Sequence, residues 1–230
     1  MRQKMVICKL SKLDISIMRI TSENKFIVTQ KYIDEKCNLS ENRKSQRDYL
    51  YIRKSKMYLI SIYFDEASDK KIRNYMKQIA KHTGNTAMID GNVPPHITIA
   101  AFRTDSEEHA IEIFRKAGSE LRKGKVHWVS IGSFLPKVIY ITPVLNEYLH
   151  QLSSIYNKEI RQQKNFESDK RYQPFQWFPH TTLAKYLTKE QMKEAFEIMQ
   201  NQFAPFEGCV TKIGLAKTNP YRDLEIIELK

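Results

Sequence analysis

The chain has 230 residues, 41% of them hydrophobic and 28% charged, which leaves room for one or two globular domains with an ample core. No apolar run approaches the ~20 residues of a membrane span, Lys9, Lys12 and Asp14 interrupt any signal-peptide core, and three scattered cysteines (Cys8, Cys37, Cys209) exclude a disulfide framework or a Cys-based zinc site and fit a reducing, cytoplasmic setting. The formal charge of +12 is uneven: residues 1–56 carry 14 Lys/Arg against 6 Asp/Glu and the remaining 174 carry 24 against 20, so a bulk-charge argument for RNA binding falls mainly on the N-terminal segment.

Residues 1–56 form a basic N-terminal extension. Met5–Cys8 and Phe26–Thr29 pattern as short strands, and Leu39–Lys56 as a linker or charged helix. Two readings stay open for this segment: an RNA-contacting arm or a solvated extension. Met57 opens the main domain, residues 57–230, with the buried strand Met57–Phe64. A helix follows from Glu66 to His82, with Ile72, Tyr75, Met76 and Ile79 on one face and Gly84 placed as its left-handed stop.

A strand at Pro95–Phe102 comes next, then a helix capped by Asp105 with Glu108 as box partner. Val126–Phe134 and Lys137–Thr142 read as strands joined at Leu135-Pro136, and Thr142-Pro143 as the N-cap and first residue of a long helix. Residues 161–176 read as a polar loop. Another strand runs from about Phe178 to Tyr186. Thr188 with Gln191 caps a helix striped by Met192, Ala195 and Met199, and strands near Cys209–Lys217 and Tyr221–Leu229 close the chain.

Two of these strands begin alike, with Pro95-His96-Ile97-Thr98-Ile99 and Pro179-His180-Thr181-Thr182-Leu183. Side chains i and i+2 share a strand face, so His96 lies with Thr98 and His180 with Thr182. Proline suits a strand's first residue, where no ladder donor is needed. Two such strands side by side put two imidazoles and two hydroxyls over one cleft. One neutral imidazole can accept a proton while a charged one donates a proton to a leaving oxygen. Threonine hydroxyls can donate to non-bridging phosphate oxygens without adding charge. That set suits phosphoryl transfer at a diester. The histidines lack carboxylate or cysteine neighbours at ligand spacing, which gives no warrant for a metal site.

This duplicated His-x-Thr resembles the two-histidine (2H) phosphoesterase superfamily. Over roughly Met57 to Lys230 the chain looks most like its bacterial and archaeal RNA 2′,5′-ligase / 2′,3′-cyclic phosphodiesterase group. The resemblance implies catalytic His96 and His180, phosphate-binding Thr98 and Thr182, and no metal or cofactor. Lys185, five residues past His180, stands where the family often has arginine, but strict alternation puts it on the opposite face unless a bulge intervenes. Ala101 stands where the family usually has an aromatic residue.

The expected fold is α+β: a bilobal, pseudo-twofold domain with two antiparallel sheets facing a central cleft and helices outside. The expected activity is metal-independent hydrolysis of 2′,3′-cyclic phosphates of RNA ends or nucleotides to 2′-phosphates, with reversible 2′,5′ ligation open. The alternatives are a nucleotide- or RNA-binding module with little turnover, or a hydrolase of 2′,5′-oligonucleotides or cyclic dinucleotides. Trp177 and Phe178 are candidates for base stacking or for the core. Lys170 and Arg171 are candidate phosphate contacts on a loop over the cleft. No membrane partner is expected, and a monomer is.

Overall fold

A computed structural model describes residues 56–218 and 221–230, together with the backbone of Arg19–Ile20 and Phe26–Ile27. The chain divides into two units, Met1–Arg53 and Lys54–Lys230. In the first, β1 (Arg19–Ile20) and β2 (Phe26–Ile27) form an antiparallel pair. The strand expected at Met5–Cys8 and the segment before Lys56 lie outside the described residues.

The second unit is an antiparallel sheet backed by helices. Its first repeat runs β3 (Lys56–Phe64), α1 (Glu66–Thr83), the short α2 (Ala87–Asp90), β4 (Ile97–Thr104), α3 (Glu107–Gly118) and β5 (Gly124–Phe134). Its second runs β6 (Val138–Pro143), α4 (Glu147–Gln162), β7 (Glu167–Ser168), β8 (Thr181–Ala184), α5 (Lys189–Gln202) and β9 (Phe206–Lys217), and β10 (Arg222–Glu228) ends the chain. The strand order is β7-β4-β3-β9-β5-β6-β8, with β10 also on β9.

Where two separate sheets were expected, the ladders join all eight strands into one. The cause is the length of β9. At 12 residues it pairs β3 through Val210–Lys217, while its other edge takes β5 through Phe206–Val210 and β10 through Lys212–Lys217. The last strand of each repeat thus pairs with the first strand of the other, β9 with β3 and β5 with β6. The helices cross over as well. Helix α1 packs on β8 and α5, and α4 packs on β4 and α3. The two halves are therefore interlocked rather than laid end to end.

Local signals account for the helix ends. Asp65 caps α1, and Gly84 stops it at φ 69°, a left-handed conformation that costs glycine nothing. Thr188 and Gln191 form the expected capping box of α5. Two expected caps move. Ser106, not Asp105, caps α3 by accepting from His109 N at 3.2 Å. Pro143 stays in β6, paired with Trp128, and Asn146 caps α4 by accepting from Leu149 N at 2.9 Å. Both displacements favour the residue whose side-chain oxygen reaches the backbone N–H three residues on. The core behind the sheet includes Ile60, Ile62, Ile97, Ile99, Trp128, Ile139, Ile141, Leu183, Ile213 and Leu215.

Candidate active site

His96 and His180 stand immediately before β4 and β8 and are held in the same way. The Nδ1 of His96 lies 2.8 Å from the Pro94 carbonyl, and that of His180 lies 2.9 Å from the Phe178 carbonyl. A carbonyl can only accept, so Nδ1 carries the proton in each ring and Nε2 is the atom left for chemistry. The sequence explains the likeness. Pro95 and Pro179 fix their own φ and hold the preceding residue extended, which sets that residue's carbonyl beside the ring two positions on.

Each motif strand then contains a β-bulge at the same place. Thr98 pairs with Ser61 but Ala100 with Ile60, leaving Ile99 as an extra residue on β4. Thr182 pairs with Tyr140 but Ala184 with Ile139, leaving Leu183 extra on β8. A bulge sets two residues against one and re-phases the strand beyond it. Ile99 and Ala100 are consecutive core residues, as are Leu183 and Ala184. The fifth residue past each histidine accordingly returns to the histidine's side, Ala101 in the first copy and Lys185 in the second. The α4 side chains support the first bulge: Ser153 Oγ and Asn157 Nδ2 donate to the Ile99 carbonyl at 3.0 and 3.3 Å.

The bulge overturns the strict-alternation placement of Lys185. Its charge acts on His96 from the other half of the cleft. Burial pushes the His96 imidazole below its ordinary value. The Pro94 carbonyl and the Asp223 carboxylate work upward, while the charges of His180 and Lys185 work downward. Burial lowers His180 too, against the upward effect of the Phe178 carbonyl.

Around the histidines the halves differ. Ser61 Oγ lies 3.2 Å from Thr98 Oγ1. Tyr63 is buried with its ring centroid 6.4 Å from that of His96, and it hydrogen-bonds Tyr221, which donates to Asp223 at 2.7 Å. On the other side Tyr140 is buried 5.5 Å from the His180 ring, with Phe134 at 4.7 Å. Each tyrosine lies on a glycine: a Cβ on Gly214 would come within 2.6 Å of the Tyr63 ring, and one on Gly132 within 2.6 Å of the Tyr140 ring. The sequence reading missed Ser61, Tyr63, Tyr140, Tyr221 and Asp223. Only the two glycines facing tyrosines hinted at close approach there.

Trp177 is only 7% exposed, and its Nε1 donates to the Thr98 carbonyl at 2.9 Å. It anchors β4 and offers no free face for stacking. Phe178, by contrast, is 47% exposed. The polar segment expected to arch over the cleft follows the β4 edge instead. Helix α4 extends to Gln162, β7 pairs with Phe102 and Arg103, Asp169 N donates to the Ala101 carbonyl at 2.8 Å, and one 3-10 turn spans Lys170–Tyr172. Arg171 is engaged by the Asp169 carboxylate at 2.6 Å, and Lys170 is exposed. Among the described residues no three His, Cys, Asp or Glu side chains group as metal ligands, and no helix is long and apolar enough to cross a membrane.

A sheet carrying two carbonyl-pinned imidazoles, each with a threonine two residues on, defines a two-histidine phosphoesterase scaffold. The family model for the 2′-5′ RNA ligase superfamily matches residues 68–222, more than half of the chain, and the protein belongs to that superfamily. No curated protein matches it. Among solved structures, a crystal structure of a phosphoesterase is similar at 16% identity and TM-score 0.53, covering 76% of this chain and 99% of the other. E. coli LigT complexed with 3′-AMP is similar at 15% identity and TM-score 0.53, with the same coverage. At these identities the likeness is one of fold.

Proposed function

We propose that this protein is a metal-independent phosphodiesterase that opens 2′,3′-cyclic phosphates of nucleotides or RNA ends to 2′-phosphates. The observation that carries this is the matched pair His96 and His180, each with Nδ1 held by a carbonyl and Nε2 left for proton transfer. One neutral Nε2 takes a proton from water as the water oxygen bonds to phosphorus. The P–O3′ bond breaks, and the other histidine, charged, delivers its proton to the departing 3′-oxygen. Thr98 and Thr182 donate to the non-bridging oxygens, and Lys185 offsets the charge that builds there. With a 5′-hydroxyl attacking phosphorus in place of water, the same step joins ends as a 2′,5′ linkage, and its reverse, attack by the 3′-hydroxyl, cleaves that linkage back to the cyclic phosphate.

The activity is assigned to residues 57–230, with residues 1–56 as an accessory basic segment, RNA ends or nucleotides as substrate, no cofactor, a monomeric chain and a cytoplasmic setting. That E. coli LigT crystallised in complex with 3′-AMP supports a nucleotide ligand for this fold.

The test is incubation with each 2′,3′-cyclic nucleotide in EDTA, beside His96→Ala and His180→Ala, with 2′- and 3′-phosphates resolved by chromatography. The expected product is the 2′-phosphate, lost by about 10²-fold or more in either variant. A folded wild-type protein with no turnover on these substrates, or turnover that survives both substitutions, overturns the proposal.

A further inference from the structure

The two sides of the cleft differ in chemistry. The His96 side carries hydroxyls and a carboxylate, in Ser61, Tyr63, Tyr221 and Asp223. The His180 side carries rings, and two of them are open to solvent: Phe134 at 41% and Phe178 at 47% exposure. Phe134 sits at the end of β5, where the chain turns into β6. Its ring centroid lies 4.7 Å from that of His180 at an interplanar angle of 87°. Phe178 lies 6.2 Å from Phe134 at 77°, so the two rings make a right-angled corner. Both also pack on the buried Tyr140, at 4.5 and 5.8 Å, which backs the corner.

Large apolar rings left in solvent beside a polar site call for an occupant. Three features narrow it. The corner touches the imidazole, so whatever fills it lies directly beside the atoms on which the histidines would act. Segments 133–138 and 178–187, which build this side, contain Lys137 and Lys185 and no Asp or Glu, which suits a ligand that is anionic next to the rings. A right-angled pair of rings also accepts a flat heterocycle, stacked on one face and met by the other ring's edge.

We propose that Phe134 and Phe178 form a base-stacking subsite, so that the ligand of this cleft is a nucleotide whose base stands on the His180 side of its phosphate. This rests on the nucleotide reading of the site given above and assigns the base a place in it. Stacking is tolerant of base identity, since every base has a π-face. The subsite therefore selects for the presence of a base over its absence and favours larger bases through overlap.

Binding tests this independently of turnover. The full chain is titrated calorimetrically with adenosine 2′-monophosphate and with inorganic phosphate, as wild type and as Phe134→Ala, Phe178→Ala and their leucine counterparts, each checked by thermal melting. The wild type is expected to bind the nucleotide at least about 10-fold tighter than phosphate. Each substitution is expected to narrow that gap by about 5-fold or more, leucine recovering little because it lacks a π-face. A wild type with no gap, or a gap left intact by both positions, overturns the subsite. Turnover of 2′,3′-cyclic AMP on the same preparation tests the enzyme separately. Turnover without base-dependent binding removes the subsite alone, and base-dependent binding without turnover removes the phosphodiesterase alone.

Discussion

Ser61 on β3 meets Thr98 on β4 across the ladder, hydroxyl to hydroxyl at 3.2 Å, whereas the hydroxyl of Thr182, the equivalent residue of the second motif, faces Tyr140 and has no hydrogen-bond partner among the described residues. The two threonines are equivalent in register and unequal in environment. Ser61 holds the Thr98 rotor, while Thr182 is free to turn toward a ligand.

That contact predicts a lesser role for Ser61 than for either threonine. Thr98→Ala and Thr182→Ala should each lower kcat by about 10²-fold, the usual loss for one donor to a developing oxyanion. Ser61→Ala should lower kcat only a few-fold, leave KM nearly unmoved and cost roughly 1 kcal/mol of stability. Ser61→Thr should restore kcat by returning the hydroxyl. A Ser61→Ala enzyme that lost KM instead would show that Ser61 touches substrate directly.

Activity should peak on the acid side of neutrality. Burial lowers both imidazoles below the ordinary value of about 6.5, so near pH 7 the free enzyme holds both rings neutral and lacks its acid. The kcat/KM profile should be bell-shaped with its maximum below ~6.5. The kcat maximum should lie higher, since a bound phosphate favours the imidazolium. Stability follows the same shift. It is full while both rings are neutral and drains as pH falls through and below ~6.5, where the unfolded chain takes up protons the folded one resists. A kcat/KM that rises to an alkaline plateau would remove paired acid–base catalysis.

Asp223 should set His96 apart from His180. Its carboxylate raises His96 and is not among the influences on His180. Asp223→Asn should therefore lower the His96 pKa further and leave that of His180 in place. NMR titration of the two imidazoles reads this directly. Equal shifts in both would point to a general structural change.

Asp65 predicts a stability effect remote from chemistry. Burial works to raise its carboxyl, but hydrogen bonds from Cys209 N, Ser68 N and Ser68 Oγ outweigh this and hold it below the usual carboxylate range. The stability it contributes is present above ~3.9, the unfolded value, and is lost as pH falls through the lower folded value. Asp65→Ala should cost roughly 1–3 kcal/mol in urea melts at pH 7, through loss of the α1 cap and of the tie to β9, and much less at pH 3.

The sequence disclosed whatever local pattern controls. The strands, the helix stripes, the Gly84 stop and the Thr188–Gln191 box all follow from periods and caps spanning a few residues. The pairing of His96 with Thr98 and of His180 with Thr182 was legible because two residues make one strand period. What stayed hidden depends on partners distant in the chain. The joining of two sheets into one rests on β9 taking β3 on one edge and β5 and β10 on the other. The exchange of α1 and α4 between halves, and the burial of Trp177 under Thr98, are likewise contacts between remote segments. The side taken by Lys185 stayed open because alternation carries no mark of a bulge, which arises only when the neighbouring strand pairs one residue short.

The paired bulges give this cleft a polarity. A cradle with true two-fold symmetry would accept a phosphodiester in either direction and spend half its encounters on the backward one. Here the equivalent slots past the two bulges hold Ala101 and Lys185, a methyl group and an ammonium. A ligand entering head-first meets a counter-charge where one entering tail-first meets none. For the reaction proposed above, this unmatched pair of slots would tell the two ends of a linear substrate apart.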